Sequence, residues 1–158
     1  MQTYTFSENA EENYKLMVQT VDAFLKGEPN YIANLANASS IVNEYLTDIN
    51  WVGFYLMEDG ELVLGPFQGK PACIRIPVGR GVCGTAVEKQ ETIVVKDVHA
   101  FPGHIACDAA SNSEIVIPIM KDGAVFGVLD VDSPMFERFG ELETRYLEKV
   151  VATIEKSL

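Results

Sequence analysis

Apolar residues recur at three- and four-residue spacing through Tyr14, Met17, Val18, Val21, Phe24 and Leu25. This predicts a helix over residues 7–25 with Ser7 as its N-cap and Gly27 just past its end. Glu28-Pro29 breaks the chain, and the pattern resumes from Tyr31 to Leu46 through Ile32, Leu35, Ala38, Ile41, Val42 and Tyr45. A closing helix over residues 141–158 places Leu142, Tyr146, Leu147, Val150, Val151 and Ile154 on one side. Between these helices the pattern becomes that of strands. NWVGFYLM (50–57) is rich in aromatic and branched residues, Glu58-Asp59-Gly60 is a turn, and Glu61 to Gly65 returns as the second arm of a hairpin. Short strands follow at 73–76, ended by Pro77, and at 92–95. The glycine-rich VGRGVCGTA (78–86) leads into a short helix through Glu88, and residues 113–132 supply two more strands.

This order of elements predicts an α+β domain with a mainly antiparallel sheet of about six strands and N- and C-terminal helices packed on one face. The N-terminal helices fall at about 7–46, the sheet with its loops at about 50–133, and the last helix at about 140–157. A length of 158 residues suits one domain with a single core. The N-terminal helices are expected either to cover a sheet face or to form a homodimer surface.

Two registers are open to the hairpin formed by residues 113–132. A two-residue Asp122-Gly123 loop sends Glu114 to the face away from Asp130 and Asp132. A three-residue Lys121-Asp122-Gly123 loop pairs Met120 with Ala124 and sets Glu114 opposite Asp130, with Asp132 on the same face. Ile115, Ile117, Ile119, Val125, Leu129 and Val131 then share the other face. The second register is preferred because it separates acids from aliphatics.

Charge narrows the list of partners. A formal net charge of −11 argues against a nucleic-acid or anionic-membrane surface. No apolar run reaches the roughly 18 residues a membrane helix needs. MQTYTFSENAEENYK lacks the basic and apolar regions of a signal peptide, so a cytoplasmic address is expected. The three cysteines are expected as reduced thiols. Their spacings, nine residues between Cys73 and Cys83 and twenty-three between Cys83 and Cys107, fit no zinc-ligand pattern, so no metal is expected.

The candidate chemistry gathers in the second half of the chain. Cys107 lies in the polar segment His104-Ile105-Ala106-Cys107-Asp108, and an accessible loop thiol is the reactive kind. His99 or His104 is close enough in sequence to lower its pKa, yet neither is the expected catalytic group. Three carboxyls on one face repel one another, so at least one holds its proton to a higher pH and can act as a general acid. Cys83 sits in Gly79-Arg80-Gly81-Val82-Cys83-Gly84-Thr85 just ahead of a helix, where backbone N–H groups favour an anion such as an α-carboxylate. Cys73, heading a short strand, is structural if taken alone.

With these residues in view, the chain resembles the free methionine-(R)-sulfoxide reductases, a GAF-domain family. The resemblance is carried by NWVGFYL (50–56), LGPFQGKPACIRIPVGRGVCGTA (64–86), VVKDVHAFPGHIACDAASNSEIVIP (94–118) and GVLDVDSP (127–134). It implies that Cys107 is the nucleophile that attacks the sulfoxide sulfur and that Cys73 resolves it as a disulfide. Cys83 lines the pocket as an alternative resolver. Glu114, Asp130 and Asp132 match the substrate carboxylates, and Trp51 and Tyr55 match the aromatic wall. The implied reaction needs no bound cofactor. Free methionine sulfoxide is its substrate, and an external dithiol such as NADPH-linked thioredoxin resets the enzyme by exchange. The competing expectation is a GAF module that senses a small ligand without catalysis.

Overall fold

The computed structural model describes residues 9–105 and 108–158. Ser7, expected as the first N-cap, lies outside the described residues. Asn9 caps α1 (Ala10–Leu25), its side chain accepting from the Glu12 N–H. Asn30 caps α2 (Tyr31–Tyr45) in the same way through Ala33. Both caps satisfy donors that a helix start leaves unpaired.

Strands β1 (Trp51–Glu58), β2 (Glu61–Gly69), β3 (Arg75–Pro77), β4 (Ile93–Val95), β5 (Ser113–Lys121) and β6 (Ala124–Ser133) form a sheet in the order β3-β2-β1-β6-β5-β4. Every pairing is antiparallel. Strand alternation divides the core in two. Val52, Phe54, Ile115, Ile117, Ile119, Leu129 and Val131 pack against α1, α2 and α4 (Glu141–Ser157). Trp51, Tyr55, Val116 and Val128 point the other way, toward α3 (Gly81–Lys89) and the long connections. The fold is therefore the expected α+β arrangement, with the terminal helices on one face. Among the described residues no helix is long and apolar enough to cross a membrane.

The β5–β6 hairpin departs from its expected register while keeping the acids together. Its loop is the two-residue Asp122-Gly123, both at positive φ, with Lys121 opposite Ala124. Such a turn matches the twist of the strands, and glycine takes its second position at little cost. Continued without interruption, that register would turn Glu114 into the helix-covered core. Instead Met120 pairs with Val125 and Ile119 with Gly127, so Phe126 is an inserted bulge residue that shifts the pairing by one. Glu114 consequently lies opposite Asp132 rather than Asp130, whose partner is Val116. Val125, expected among the aliphatics under the helices, packs on the opposite side of the sheet.

Two further placements differ from expectation. Cys73 precedes β3 instead of heading a strand. Its carbonyl accepts from the Tyr55 hydroxyl at 2.8 Å rather than from a neighbouring strand. Cys83 stands within the first turn of α3, because the helix starts inside the glycine-rich stretch at Gly81.

Gly53, on β1 between Trp51 and Tyr55, lets two aromatic rings close over the backbone. A Cβ there would collide with the Cβ of Phe67 and stand 2.8 Å from the Trp51 indole. Gly53→Ala is expected to destabilise the fold by about 1–3 kcal/mol, a fall in Tm on the order of 5 °C. Calorimetry showing an unchanged Tm would contradict this packing.

Candidate active site

The site is built on the face of the sheet that the terminal helices leave uncovered. Glu114 on β5 and Asp130 and Asp132 on β6 all point there, and Glu114 and Asp130 are only 6% and 5% exposed. Buried acids require partners, and here the nearest groups are one another. Burial is the main reason that all three carboxyls are pushed well above the usual carboxylate range. Mutual repulsion adds to it: Asp132 acts on Glu114, Glu114 on Asp130, and Asp130 on Asp132. The three carboxyls hydrogen-bond one another, which requires protons within the cluster. A ligand carrying several N–H donors and a positive charge satisfies such a surface.

Two of the expected aromatic residues wall this cleft. Trp51 and Tyr55 stack with ring centroids 5.9 Å apart, and Phe67 stacks on Trp51 at 5.2 Å. Trp51 Nε1 donates to the Lys70 carbonyl at 3.1 Å, and Tyr55 holds the Cys73 carbonyl. Both aromatics therefore also fix the connection that carries Cys73. Burial drives the Tyr55 phenol far above its ordinary range, which keeps it a neutral hydrogen-bond donor.

The cysteines occupy different environments. Cys83 is buried, and its thiol donates to Asp130 Oδ2 at 3.4 Å. Burial, then the neighbouring acids, raise its pKa well above that of a free thiol, so the thiolate is disfavoured. Cys73 is disulfide-bonded, whereas Cys83 is a free thiol. Cys107, the expected nucleophile, lies with Ala106 outside the described residues. Its described neighbours Ile105 and Asp108 both line the cleft.

Several groups at the mouth carry no motif in the sequence. Asn50, one residue before β1, donates through Nδ2 to Asp108 Oδ2 and to Ser111 Oγ, each at 3.0 Å. Its backbone N–H donates to the Asp132 carbonyl at 2.9 Å. Asn50 thereby ties the connection between β4 and β5 to the end of the acid-bearing strand. Asp108 also accepts from the Ala110 N–H, and this bond, ahead of the one from Asn50, lowers its pKa. His104 Nε2 stands 3.6 Å from Glu114 Oε1. Burial lowers the imidazole pKa, and burial followed by the Asp132 charge raises that of the carboxyl. His99 lies elsewhere, bonded to Asn112.

Trp51, Tyr55, Cys83, His104, Asp108 and the three acids line one cleft that opens to solvent. Arg80 and Gly81 at the start of α3 also line it, in the same turn as Cys83. The start of α3 favours an anion and the acids a cation, the two charges that a free amino acid carries.

The family model for the GAF domain matches residues 34–158. The chain is 55% identical over 150 residues to the free methionine-R-sulfoxide reductase of Escherichia coli, covering 95% of this chain and 91% of that protein. Among solved structures, the reduced form of the fRMsr of Staphylococcus aureus matches at 51% identity, with a TM-score of 0.91 and coverage of 100% and 99%. The free methionine-R-sulfoxide reductase of Neisseria meningitidis, solved with its substrate, matches at 43% identity and a TM-score of 0.95, covering 99% of this chain and 95% of that one.

Proposed function

The chain belongs to the GAF-domain family, in the branch of the free methionine-R-sulfoxide reductases, and from that membership we propose that it reduces free L-methionine-(R)-sulfoxide to L-methionine by thiol chemistry. The observation that carries this proposal is the cluster of Glu114, Asp130 and Asp132, their carboxyls all pushed above the usual range, opening on the same cleft as Trp51 and Tyr55. The substrate ammonium lies against these acids and its α-carboxylate toward the start of α3. A methionine sulfoxide inside a peptide has no ammonium there, and burying the acids against an uncharged amide would leave them unsatisfied. Trp51 and Tyr55 pack on the S-methyl group.

In the reaction, the Cys107 thiolate attacks the sulfoxide sulfur while a protonated carboxyl of the cluster hydrogen-bonds the sulfoxide oxygen. The substrate's sulfur–oxygen bond breaks, the oxygen passes to Cys107 and takes the carboxyl's proton, and methionine leaves with two more electrons on its sulfur while Cys107 becomes a sulfenic acid. The Cys73 thiol condenses with the sulfenic acid, forming a disulfide and releasing water. A dithiol such as thioredoxin then exchanges with the disulfide and restores both thiols. Cys73 is favoured over Cys83 as resolver because Cys83 is the free thiol, buried and held protonated beside Asp130.

Cys73→Ser separates the two halves of this cycle. The reduced variant is expected to release about one methionine per enzyme and then stall, with the sulfenic acid trapped by a dimedone-type reagent. Sustained thioredoxin-driven turnover by Cys73→Ser would remove Cys73 from the resolving role.

A further inference from the structure

Two bonds from the aromatic wall of the cleft reach the connection that carries Cys73. Residues 70–73 belong to no strand or helix. Trp51 Nε1 donates to the Lys70 carbonyl at 3.1 Å, and the Tyr55 hydroxyl donates to the Cys73 carbonyl at 2.8 Å. One residue later the Ile74 carbonyl accepts from the Leu64 N–H at 2.8 Å. Gly69, at a φ of +137°, lets the chain turn across the Trp51 ring, where a Cβ would stand 2.6 Å from the indole Cδ1. Of these contacts, the bond from Tyr55 falls on the cysteine itself. Tyr55 is only 2% exposed, so packing fixes its ring and the hydroxyl can hold a backbone that lies outside the sheet. Cys73 is disulfide-bonded here, so the bond is seen in the state that a resolving step produces.

We propose that the Tyr55 hydroxyl is a positioning group for the second step of the cycle, holding Cys73 where its thiol reaches the sulfenic acid. This role rests on the reading of Cys73 as the resolving thiol. In that step the Cys73 sulfur attacks the Cys107 sulfur. The S–S bond forms as the S–O bond breaks, and the hydroxyl leaves as water with the proton of the thiol. The thiol is oxidised and the sulfenic acid reduced, both to the level of the disulfide, so no outside oxidant is needed. The rate of such an intramolecular reaction follows how well the two sulfurs are aligned, and a misplacement of about 1 Å can cost on the order of a hundredfold. Without the hydroxyl the Cys73 carbonyl turns to water, and the backbone is free to follow it. Tyr55 thus serves the two halves of the cycle with different atoms, its ring in the substrate wall and its hydroxyl on the resolving arm.

Tyr55→Phe in the full chain keeps the ring and removes only the hydroxyl. Reduced protein is mixed with one equivalent of free methionine-(R)-sulfoxide without any dithiol. Methionine release, dimedone-trapped sulfenic acid and loss of free thiols are then followed by rapid quench. Trp51, the single tryptophan, adds a continuous fluorescence signal from the same connection. The expected result is a disulfide step slowed about ten- to hundredfold relative to methionine release, with sulfenic acid accumulating. In the Cys73→Ser background the same substitution should add nothing to the lifetime of the sulfenic acid, because the arm no longer carries a thiol. Disulfide formation that keeps its wild-type ratio to methionine release, whether both steps are fast or both are slowed, would overturn the positioning role. Thermal melts establish that the variant is folded. Should it not be, Trp51→Phe, which releases the Lys70 carbonyl instead, carries the same expectation by loss of thiols. Hydrogen peroxide supplies the sulfenic acid without the sulfoxide. Inert sulfoxide together with a peroxide-driven disulfide step that is slow in Tyr55→Phe would sink the proposed function and leave the positioning role standing.

Discussion

Cys107→Ser is expected to lower kcat for free methionine-(R)-sulfoxide by at least about a thousandfold, the scale on which loss of a nucleophile acts. A serine hydroxyl at neutral pH is neither ionised nor soft enough to attack sulfur, and no other thiol is placed to substitute. Cys83 is buried and held protonated, and the Cys73 backbone is fixed by the Tyr55 hydroxyl in the wall of the cleft. Product binding should survive, because the acids and aromatics proposed to hold methionine are untouched. Calorimetric titration with L-methionine checks that the variant retains its pocket. Turnover near the wild-type rate would remove Cys107 from the chemistry.

Asp130→Asn has the next largest effect and acts in opposite directions on activity and stability. Replacing the carboxylate removes the proposed charge-assisted contact to the ammonium and alters the acid cluster proposed to serve the sulfoxide oxygen. The expected loss in kcat/KM is about 100- to 1000-fold. The ligand-free protein should nevertheless melt higher than wild type. The folded-state pKa values of Glu114, Asp130 and Asp132 are raised by burial and mutual repulsion, so the folded state holds these protons more tightly than the unfolded chain. By linkage, the contribution of these three groups to stability is greatest below the unfolded carboxylate pKa of about 4 and falls as pH rises toward the raised folded values. An amide at position 130 cannot ionise and removes one contributor to that fall. The Tm advantage of Asp130→Asn should therefore widen from pH 4 upward until the wild-type cluster has ionised. A variant that is less stable than wild type throughout would contradict the electrostatic account. Such a trade of stability for function is common where an active site must keep charges apart from water.

How much of this was legible in the sequence follows from which interactions are local. Alternation along Ser113–Lys121 and Ala124–Ser133 separates aliphatics from acids without reference to any partner, so the shared face of Glu114, Asp130 and Asp132 was readable. The means of achieving it was not. The Asp122-Gly123 turn and the bulge at Phe126 each shift the register, and only their combination restores the face. The helices followed from their periodicity, but the start of α3 inside a glycine-rich stretch did not, because glycines are weak evidence for a helix. The Asn50 clamp was invisible for another reason. It joins residues 58 and 61 positions apart in the chain, and an asparagine before a strand has no pattern that announces such contacts. His104 was discounted as an ordinary loop histidine, and only the fold sets it beside Glu114.

The central claim is that this chain is a reductase selective for the free R epimer, and the most direct measurement is epimer-resolved consumption. Free L-methionine sulfoxide containing both epimers, and separately a peptide-bound methionine sulfoxide, would be incubated with the reduced protein, thioredoxin, thioredoxin reductase and NADPH, and the products resolved by chiral chromatography. The account predicts that the free R epimer disappears with stoichiometric methionine and NADP⁺, while the S epimer and the peptide persist. Persistence of all three in the presence of an active thioredoxin system, and equally with a small dithiol in its place, would contradict the account and favour a ligand-sensing module.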